Sequence, residues 1–216
     1  MQNNTLSEEE RDQGWRLLFD GRTLGGWRGY RMPPGQVPPL WAAEEGELRI
    51  HGAGGKGRGD ILTVDQFADF ELAIEWRNSV GGNSGIMYRV TEEEDQPYMT
   101  GPEFQILDNA VHPDAKGGPT RHASACYALY GPAEDVTSPV GEWNRSRIVV
   151  RGNHVEHWNN GVKTVEFEMH SPDWNARIAA SKFAKWPRFA RAARGHIDLQ
   201  DHGHEVAFRN IKLREL

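Results

Sequence analysis

Glycine and proline divide this chain into short segments, and this feature constrains the fold more than any other. The 216 residues include 24 glycines and 12 prolines, and the runs between them are rich in alternating, β-branched and aromatic residues. Both residues interrupt regular elements, so long helices are excluded over most of the chain. The pattern predicts many short strands joined by turns.

The clearest strand covers residues 69–76. Phe70, Leu72, Ile74 and Trp76 share one parity, and charged residues occupy most of the other positions. Successive side chains of a strand point to opposite faces, so one face should be core and the other wet. Strands of this kind with few helices predict a single all-β domain, a two-sheet antiparallel jelly-roll sandwich.

Turns and helices complete this prediction. Residues 145–151, 155–158 and 162–167 form a predicted meander, because turn residues separate them. Two short decorating helices are expected at residues 7–12 and 171–183, the second with a serine cap and a proline in its first turn.

Charge and composition exclude several classes of protein. The net charge is −6 and the isoelectric point is about 5.9, which opposes binding to a phosphate backbone. The basic run at residues 182–194 is therefore interpreted as a solvated face.

No apolar run approaches the ~18 residues of a membrane-spanning helix. The single cysteine, Cys126, forms no internal disulfide and is predicted to be a small core residue.

A glycine-rich run at residues 52–59 invites comparison with a phosphate-binding loop. It lacks the Gly-Lys-Ser/Thr ending and a strong helix after it. A nucleotide site is therefore not expected there.

The strand predicted at residues 103–107 carries the first candidate site. Its alternation puts Glu103 and Gln105 on one face, where a carboxylate and an amide suit sugar hydroxyls; two solvated strand residues are the alternative. Asp108 follows at a position that points to the core unless the strand ends or bulges there.

A second cluster lies at residues 196–204, with His196, His202 and His204. A metal site, proton transfer and a structural use all remain open for these histidines. If His202 transfers protons, Asp201 would orient it while Gln200 binds a hydroxyl.

Other polar or aromatic residues are candidates for substrate binding. Arg89 follows a glycine-rich turn that holds Asn83, and its fixed cation would stabilise an enolate or clamp two hydroxyls. His122 and Tyr130 flank the Cys126 strand. Trp143 would stack on a sugar ring, although core packing is favoured for it.

Seven motifs in order make the chain resemble the 3-keto-disaccharide hydrolase family, over nearly its whole length from Gly14 to Leu216. They are residues 17–21 with Trp27, residues 69–72 with 75–77, and residues 81–85, 103–109, 141–144, 157–161 and 199–203. One departure is the run Cys126-Tyr127-Ala128, where members more often have Gly-Ala-Leu-Tyr. It bears on the role of Tyr130.

The resemblance implies a concanavalin-like jelly roll at residues 14–216 after an N-terminal extension at residues 1–13. It also implies cleavage of 3-keto-glycosides or 3-keto-disaccharides whose C3 hydroxyl a separate oxidoreductase has oxidised. A C3 ketone acidifies the C2 proton, so a base can remove it, the C1 substituent can leave and water can add. A periplasmic or extracellular location and a small carbohydrate substrate are expected with it.

This chemistry assigns expected roles to the candidates. His202 or Asp108 would be base or acid, Glu103 a partner or metal ligand, and Arg89, Gln105 and Gln200 positioning groups. The sequence establishes no cofactor; a divalent cation such as calcium would be a natural Lewis acid here and would suit oxygen ligands from Glu103 and Asp108.

Two other functions remain open for the same fold. An ordinary glycoside hydrolase would pair Glu103 with a second carboxyl at ~5–10 Å. A non-catalytic carbohydrate-binding module would need stacking aromatics and would tolerate the loss of His202 and Asp108.

Overall fold

The computed structural model describes residues 2–52, 54 and 59–216. Most of the glycine-rich run at residues 52–59 therefore lies outside the described residues. The described residues form an all-β sandwich of two antiparallel sheets with short helices, which confirms the fold class predicted from the sequence.

Thirteen strands are found among the described residues. In chain order they are β1 (Arg16–Leu17), β2 (Trp27–Gly29), β3 (Trp41–Glu44), β4 (Glu47–Ile50), β5 (Ile61–Thr63), β6 (Phe70–Asn78), β7 (Asn83–Val90), β8 (Glu103–Leu107), β9 (Asn144–Arg151), β10 (His154–Asn159), β11 (Val162–Glu168), β12 (His196–Leu199) and β13 (Val206–Glu215).

The larger sheet has eight strands in the order β11, β10, β9, β6, β13, β4 and β3, with β1 paired to β13. The predicted meander is present as β9, β10 and β11. The smaller sheet has five strands in the order β2, β5, β12, β7 and β8. Strands from distant parts of the sequence are neighbours in both sheets.

The core lies between the two sheets. From the larger sheet, β6 contributes Phe70, Leu72, Ile74 and Trp76, the residues that the alternation predicted, and each is at most 2% exposed. From the smaller sheet come apolar side chains of alternate positions, namely Ile86, Tyr88, Phe104, Ile106, Ile197 and Leu199. The other face of the smaller sheet is therefore free to carry polar groups.

The helices are short and capped by serines. Helix α1 (Glu8–Asp12) begins after Ser7, whose hydroxyl accepts a hydrogen bond from the Glu10 amide. Helix α2 (Pro172–Ala180) begins after Ser171, as predicted, but ends before residue 183. Ser181 caps a separate 3₁₀ turn at Lys182–Lys185, and this turn carries Lys182 towards the smaller sheet. No helix among the described residues is long and apolar enough to cross a membrane.

Replacing Phe104 tests the packing of the two sheets. Phe104 is fully buried on the core face of β8, so Phe104→Ala should lower the free energy of unfolding by about 3–5 kcal/mol through lost burial and a cavity. Chemical denaturation measures this change, and Val162→Ala, at a partly exposed edge position, is the control. A loss below about 1 kcal/mol for Phe104→Ala would contradict this account of the core.

Candidate functional site

A polar row crosses the face of the smaller sheet that points away from the core. The strand register sets Asp198 of β12 opposite Met87 of β7, and Met87 opposite Glu103 of β8. Paired residues lie on the same face of a sheet, so the two carboxyls flank Met87. All three side chains are buried, because loops cover this face.

Glu103 occupies a space that only glycine leaves free. A β-carbon on Gly85 would lie 2.3 Å from the Glu103 Oε1 atom, so the carboxyl lies directly over the backbone of β7. The φ angle of Gly85 is not in the left-handed region. Glycine is therefore needed here because it lacks a side chain, not because of its backbone freedom. The arrangement fixes the direction in which Glu103 points.

The Glu103 carboxyl lines a polar pocket with a cavity volume of about 180 Å³. The strands of the smaller sheet form its floor, and loops and the Lys182–Lys185 turn form its walls. The lining residues are Asp60, Asn83, Gln96, Tyr98, Glu103, Gln105, Asp114, Tyr127, Lys182, Gln200, Asp201 and His202.

Several buried oxygen atoms at this pocket have no hydrogen-bond donor among the described residues. They are the side-chain carbonyl oxygens of Asn83, Gln105 and Gln200. Both carboxyl oxygens of Asp198, which is buried on the same face of the sheet, also have no donor among the described residues. A buried acceptor without a donor is costly, so the site favours a ligand that presents several O–H groups.

Burial also changes the ionisation of the carboxyls on this face. It raises the pKa of Glu103 to about 8; the Lys182 ammonium opposes this shift, and the charge of Asp60 adds to it. Burial likewise raises the pKa of Asp60 to about 7 and that of Asp198 well above its usual range. The site therefore holds protons that exposed carboxyls would have lost at neutral pH.

One wall of the pocket is a hydrogen-bonded triad of Asp114, Arg121 and Tyr127. The Tyr127 hydroxyl donates to Asp114 Oδ2 at 2.9 Å, and Arg121 Nη1 donates to Asp114 and, at 2.9 Å, to the Tyr127 oxygen. Burial and the bond to Asp114 raise the pKa of Tyr127. The tyrosine is therefore a fixed neutral group.

Three histidines lie close to one another beside this triad. The rings of His112, His202 and His204 lie with their centroids 5.5–6.4 Å apart. His112 Nδ1 accepts a hydrogen bond from the Asp114 amide at 3.1 Å, so its other nitrogen carries the proton in the neutral ring. Asp201 closes the adjoining turn by accepting from the Gly203 amide at 2.8 Å.

The structure brings together one group of the residues proposed from the sequence. Asn83, Glu103, Gln105, Gln200 and His202 all line the pocket. Their roles remain predictions.

Asp108 and Arg89 lie elsewhere. Strand β8 ends at Leu107, and Asp108 accepts hydrogen bonds from the amides of Gly81 and Ala110 at 2.9 and 3.0 Å. It therefore fixes a turn, and Glu103 and Asp108 line different cavities. Arg89 sits at a bulge of β7 with a φ of 51°, which directs its guanidinium to the Ala68 carbonyl and Asp69.

The three remaining candidates also lie outside the pocket. His122 Nε2 lies 3.2 Å from the Ala115 carbonyl oxygen. Tyr130 stacks on Phe167 at 4.9 Å. Trp143 packs between arginines of the larger sheet, and Cys126 is buried as predicted.

The histidine cluster of the sequence is divided in the fold. The Nδ1 atom of His196 lies 2.7 Å from the Thr63 carbonyl oxygen, at the far end of β12 from His202. Among the described residues, His154, Glu156 and Glu166 are the group close enough to share a metal ion. They lie on β10 and β11 of the other sheet, not at the pocket.

Sequence reasoning missed Asp60, Asp114, Tyr127 and Lys182 as pocket residues. Asp60 precedes β5 with the parity of the pocket face, which was the available signal. Lys182 belongs to the basic run interpreted as a solvated face; it is exposed at the pocket mouth, and its amine reaches the lining.

Comparison with known proteins gives the family. The sandwich resembles that of a Bacillus subtilis protein with a galectin-like fold, at a TM-score of 0.56 and 9% identity, over 100% of this chain and 95% of the other. The crystal structure of a proposed glycosyl hydrolase from Parabacteroides distasonis matches at a TM-score of 0.90 and 33% identity, over 100% of both chains. A "3-keto-disaccharide hydrolase" of Bacteroides thetaiotaomicron is 35% identical over 94% of this chain and 79% of its own length.

The fold and these relatives define a carbohydrate-active β-sandwich protein of the glycosyl hydrolase type. Residues 14–214 match the family described as the 3-keto-alpha-glucoside-1,2-lyase-like domain. The chain belongs to this family, as its motifs had indicated.

The buried Glu103 carboxyl should make stability fall as pH rises. Its pKa is raised in the folded state, so its contribution is complete below a pH of about 4.5 and is lost as pH rises through about 8. Glu103→Gln should therefore be more stable than the unaltered protein at pH 8.5 and show a shallower loss between pH 6 and 8.5. Urea unfolding at several pH values measures this difference.

The exposed carboxylate Glu142 offers the matched control, Glu142→Gln. It should leave the pH profile of stability unchanged. Identical profiles for Glu103→Gln and the unaltered protein would show that Glu103 is not buried with a raised pKa.

Proposed function

We propose that this protein cleaves 3-keto-glycosides by β-elimination across C1 and C2, followed by addition of water. The observation that carries the proposal is the Glu103 carboxyl, held over Gly85 at the floor of a pocket rich in buried acceptors. Membership of the family and the name of the 35% identical relative support the substrate class.

The reaction needs a base at C2, because the C3 ketone acidifies that proton. A carboxylate base is most effective when its pKa lies near the working pH. Burial raises the pKa of Glu103 to about 8, far closer to the range needed for abstraction of a carbon acid than an exposed glutamate. Glu103 is therefore assigned as the base.

The remaining sugar hydroxyls require acceptors, and the pocket supplies them. The carbonyl oxygens of Asn83, Gln105 and Gln200 are buried without a donor among the described residues. Three O–H groups of one pyranose ring would satisfy them, and an apolar ligand would not. These amides are assigned to substrate binding.

The leaving oxygen at C1 needs a proton. His202 is an exposed histidine that lines the pocket. Imidazole is suited to proton transfer near neutral pH, so His202 is assigned as the acid that protonates the leaving group.

A calcium ion held jointly by Glu103 and Asp108 does not fit this site. The Asp108 carboxylate is engaged by two backbone amides and faces a different cavity. The steps proposed here are assigned to protein side chains.

Turnover of oxidised and unoxidised sugars tests the proposal. The protein should release sugar from 3-keto-trehalose or a 3-keto-glucoside and leave trehalose and the parent glucoside intact. Glu103→Gln should lower the rate on keto substrates by about 10²–10⁴-fold, the range expected for loss of a general base. Cleavage of the parent sugars would instead support an ordinary glycosidase, and binding without any cleavage would support a binding module.

Gly85→Ala tests whether the position of Glu103 matters. The added methyl group would displace the Glu103 carboxyl, and a shift of about 1 Å in a catalytic group can cost about 10²-fold in rate. We expect the rate on 3-keto-glucoside to fall by this order. Urea unfolding should show that the variant remains folded, since the clash is with the end of a flexible side chain. Full activity in a folded variant would contradict the assigned role.

A further inference from the structure

Lys182 is a cation in the pocket that the scheme above leaves unused. It is the one lysine or arginine among the described residues that line the cavity, which it shares with the carboxyls of Asp60 and Glu103. It begins the 3₁₀ turn Lys182–Lys185, and the cap formed by Ser181 fixes the direction of that turn. Its amine is therefore presented to the same space as the Glu103 carboxyl.

The surroundings of this amine differ from those of a surface lysine. Its Nζ atom lies 4.4 Å from the centre of the Tyr127 ring and 5.3 Å from those of Tyr98 and Phe183. Among the described residues, no carboxylate lies within 4.0 Å of it. The amine is thus held by aromatic rings rather than by an ion pair.

Lys182 is exposed as a whole residue, but partial burial of its amine lowers the pKa of Lys182, and the negative charge of Glu103 opposes the shift. A lysine that loses its proton more easily becomes a nucleophile towards carbonyl groups. Under the proposed function, on which this inference rests, the pocket receives a ketone.

We propose that the Lys182 amine condenses with the C3 ketone of the substrate, so that elimination proceeds through an enamine. The geometry that carries this is a primary amine without an ion-pair partner in the same small cavity as a buried carboxyl. An iminium ion acidifies the neighbouring C2–H bond more strongly than the ketone does, because it carries a full positive charge.

The steps balance without any further reagent. The amine nitrogen bonds to C3, and the ketone oxygen leaves as water, which gives the iminium ion. Glu103 takes the C2 proton, and the electron pair of the C–H bond forms the enamine. The enamine then expels the C1 substituent as its C1–O bond breaks, and His202 gives that oxygen a proton.

Water restores the starting state of the enzyme. One water molecule adds at C1 while C2 regains a proton, and a second hydrolyses the iminium ion, which returns the ketone and the free amine. Because the condensation step released one water molecule, the net reaction consumes one. Lys182 is unchanged at the end.

Reductive trapping tests the covalent step. The probe is 3-keto-1,5-anhydroglucitol, which has the ketone but no exocyclic leaving group at C1. With sodium borohydride, the unaltered protein should gain the mass of one probe molecule less one oxygen atom, and peptide mapping should locate the addition on Lys182. Lys182→Arg should not be labelled, and Lys185→Arg, at an exposed lysine of the same turn, should be labelled like the unaltered protein.

Activity measurements separate this inference from the proposed function. Lys182→Arg keeps the charge but cannot form an iminium ion, so its rate on 3-keto-glucoside should fall by about 10²-fold or more with stability retained. Retention of activity within about 10-fold would overturn the covalent role and leave a role for the cation alone. Cleavage by the unaltered protein without trapping would also overturn it while the proposed function stands. Absence of cleavage of any keto substrate would remove both.

Discussion

The arrangement on which the site depends is the contact between the Glu103 carboxyl and the bare backbone of Gly85. It places a buried acid on the side of the smaller sheet that faces away from the core. The raised pKa and the fixed direction of Glu103 both follow from this burial. The unpartnered oxygens of Asn83, Gln105 and Gln200 then give the cavity its preference for hydroxyl groups.

This arrangement has a cost in stability. A buried carboxyl is easier to hold as a neutral acid than as an anion, so folding favours the protonated form, whereas abstraction of a proton requires the anion. As pH rises, the stability of the fold therefore falls while the fraction of Glu103 that is ionised, and so able to act as a base, increases. The apolar packing between the sheets, which includes the buried Phe70, Trp76 and Phe104, offsets the cost of burying these polar groups.

The fold was predictable from local features, and the site only in part. Alternation identified β6 and the shared face of Glu103 and Gln105, because side-chain direction in a strand has a period of two. Asp108 and Arg89 lie away from that face: Asp108 follows the end of a strand, Arg89 lies at a bulge, and neither break changes the local composition. Lys182 joins the pocket only through tertiary structure, so its sequence context gave no sign of it.

The deuterium that the product takes up from D₂O tests the central claim most directly. When 3-keto-trehalose is cleaved in D₂O, removal and return of a proton at C2 should leave one deuterium at that carbon of the released keto sugar. Mass spectrometry and NMR of the product measure it, with Glu103→Gln and substrate without protein as controls for spontaneous exchange. Product with deuterium at C2, above both controls, is the result that elimination at Glu103 predicts. Cleavage that leaves the original C2 hydrogen in place would contradict it.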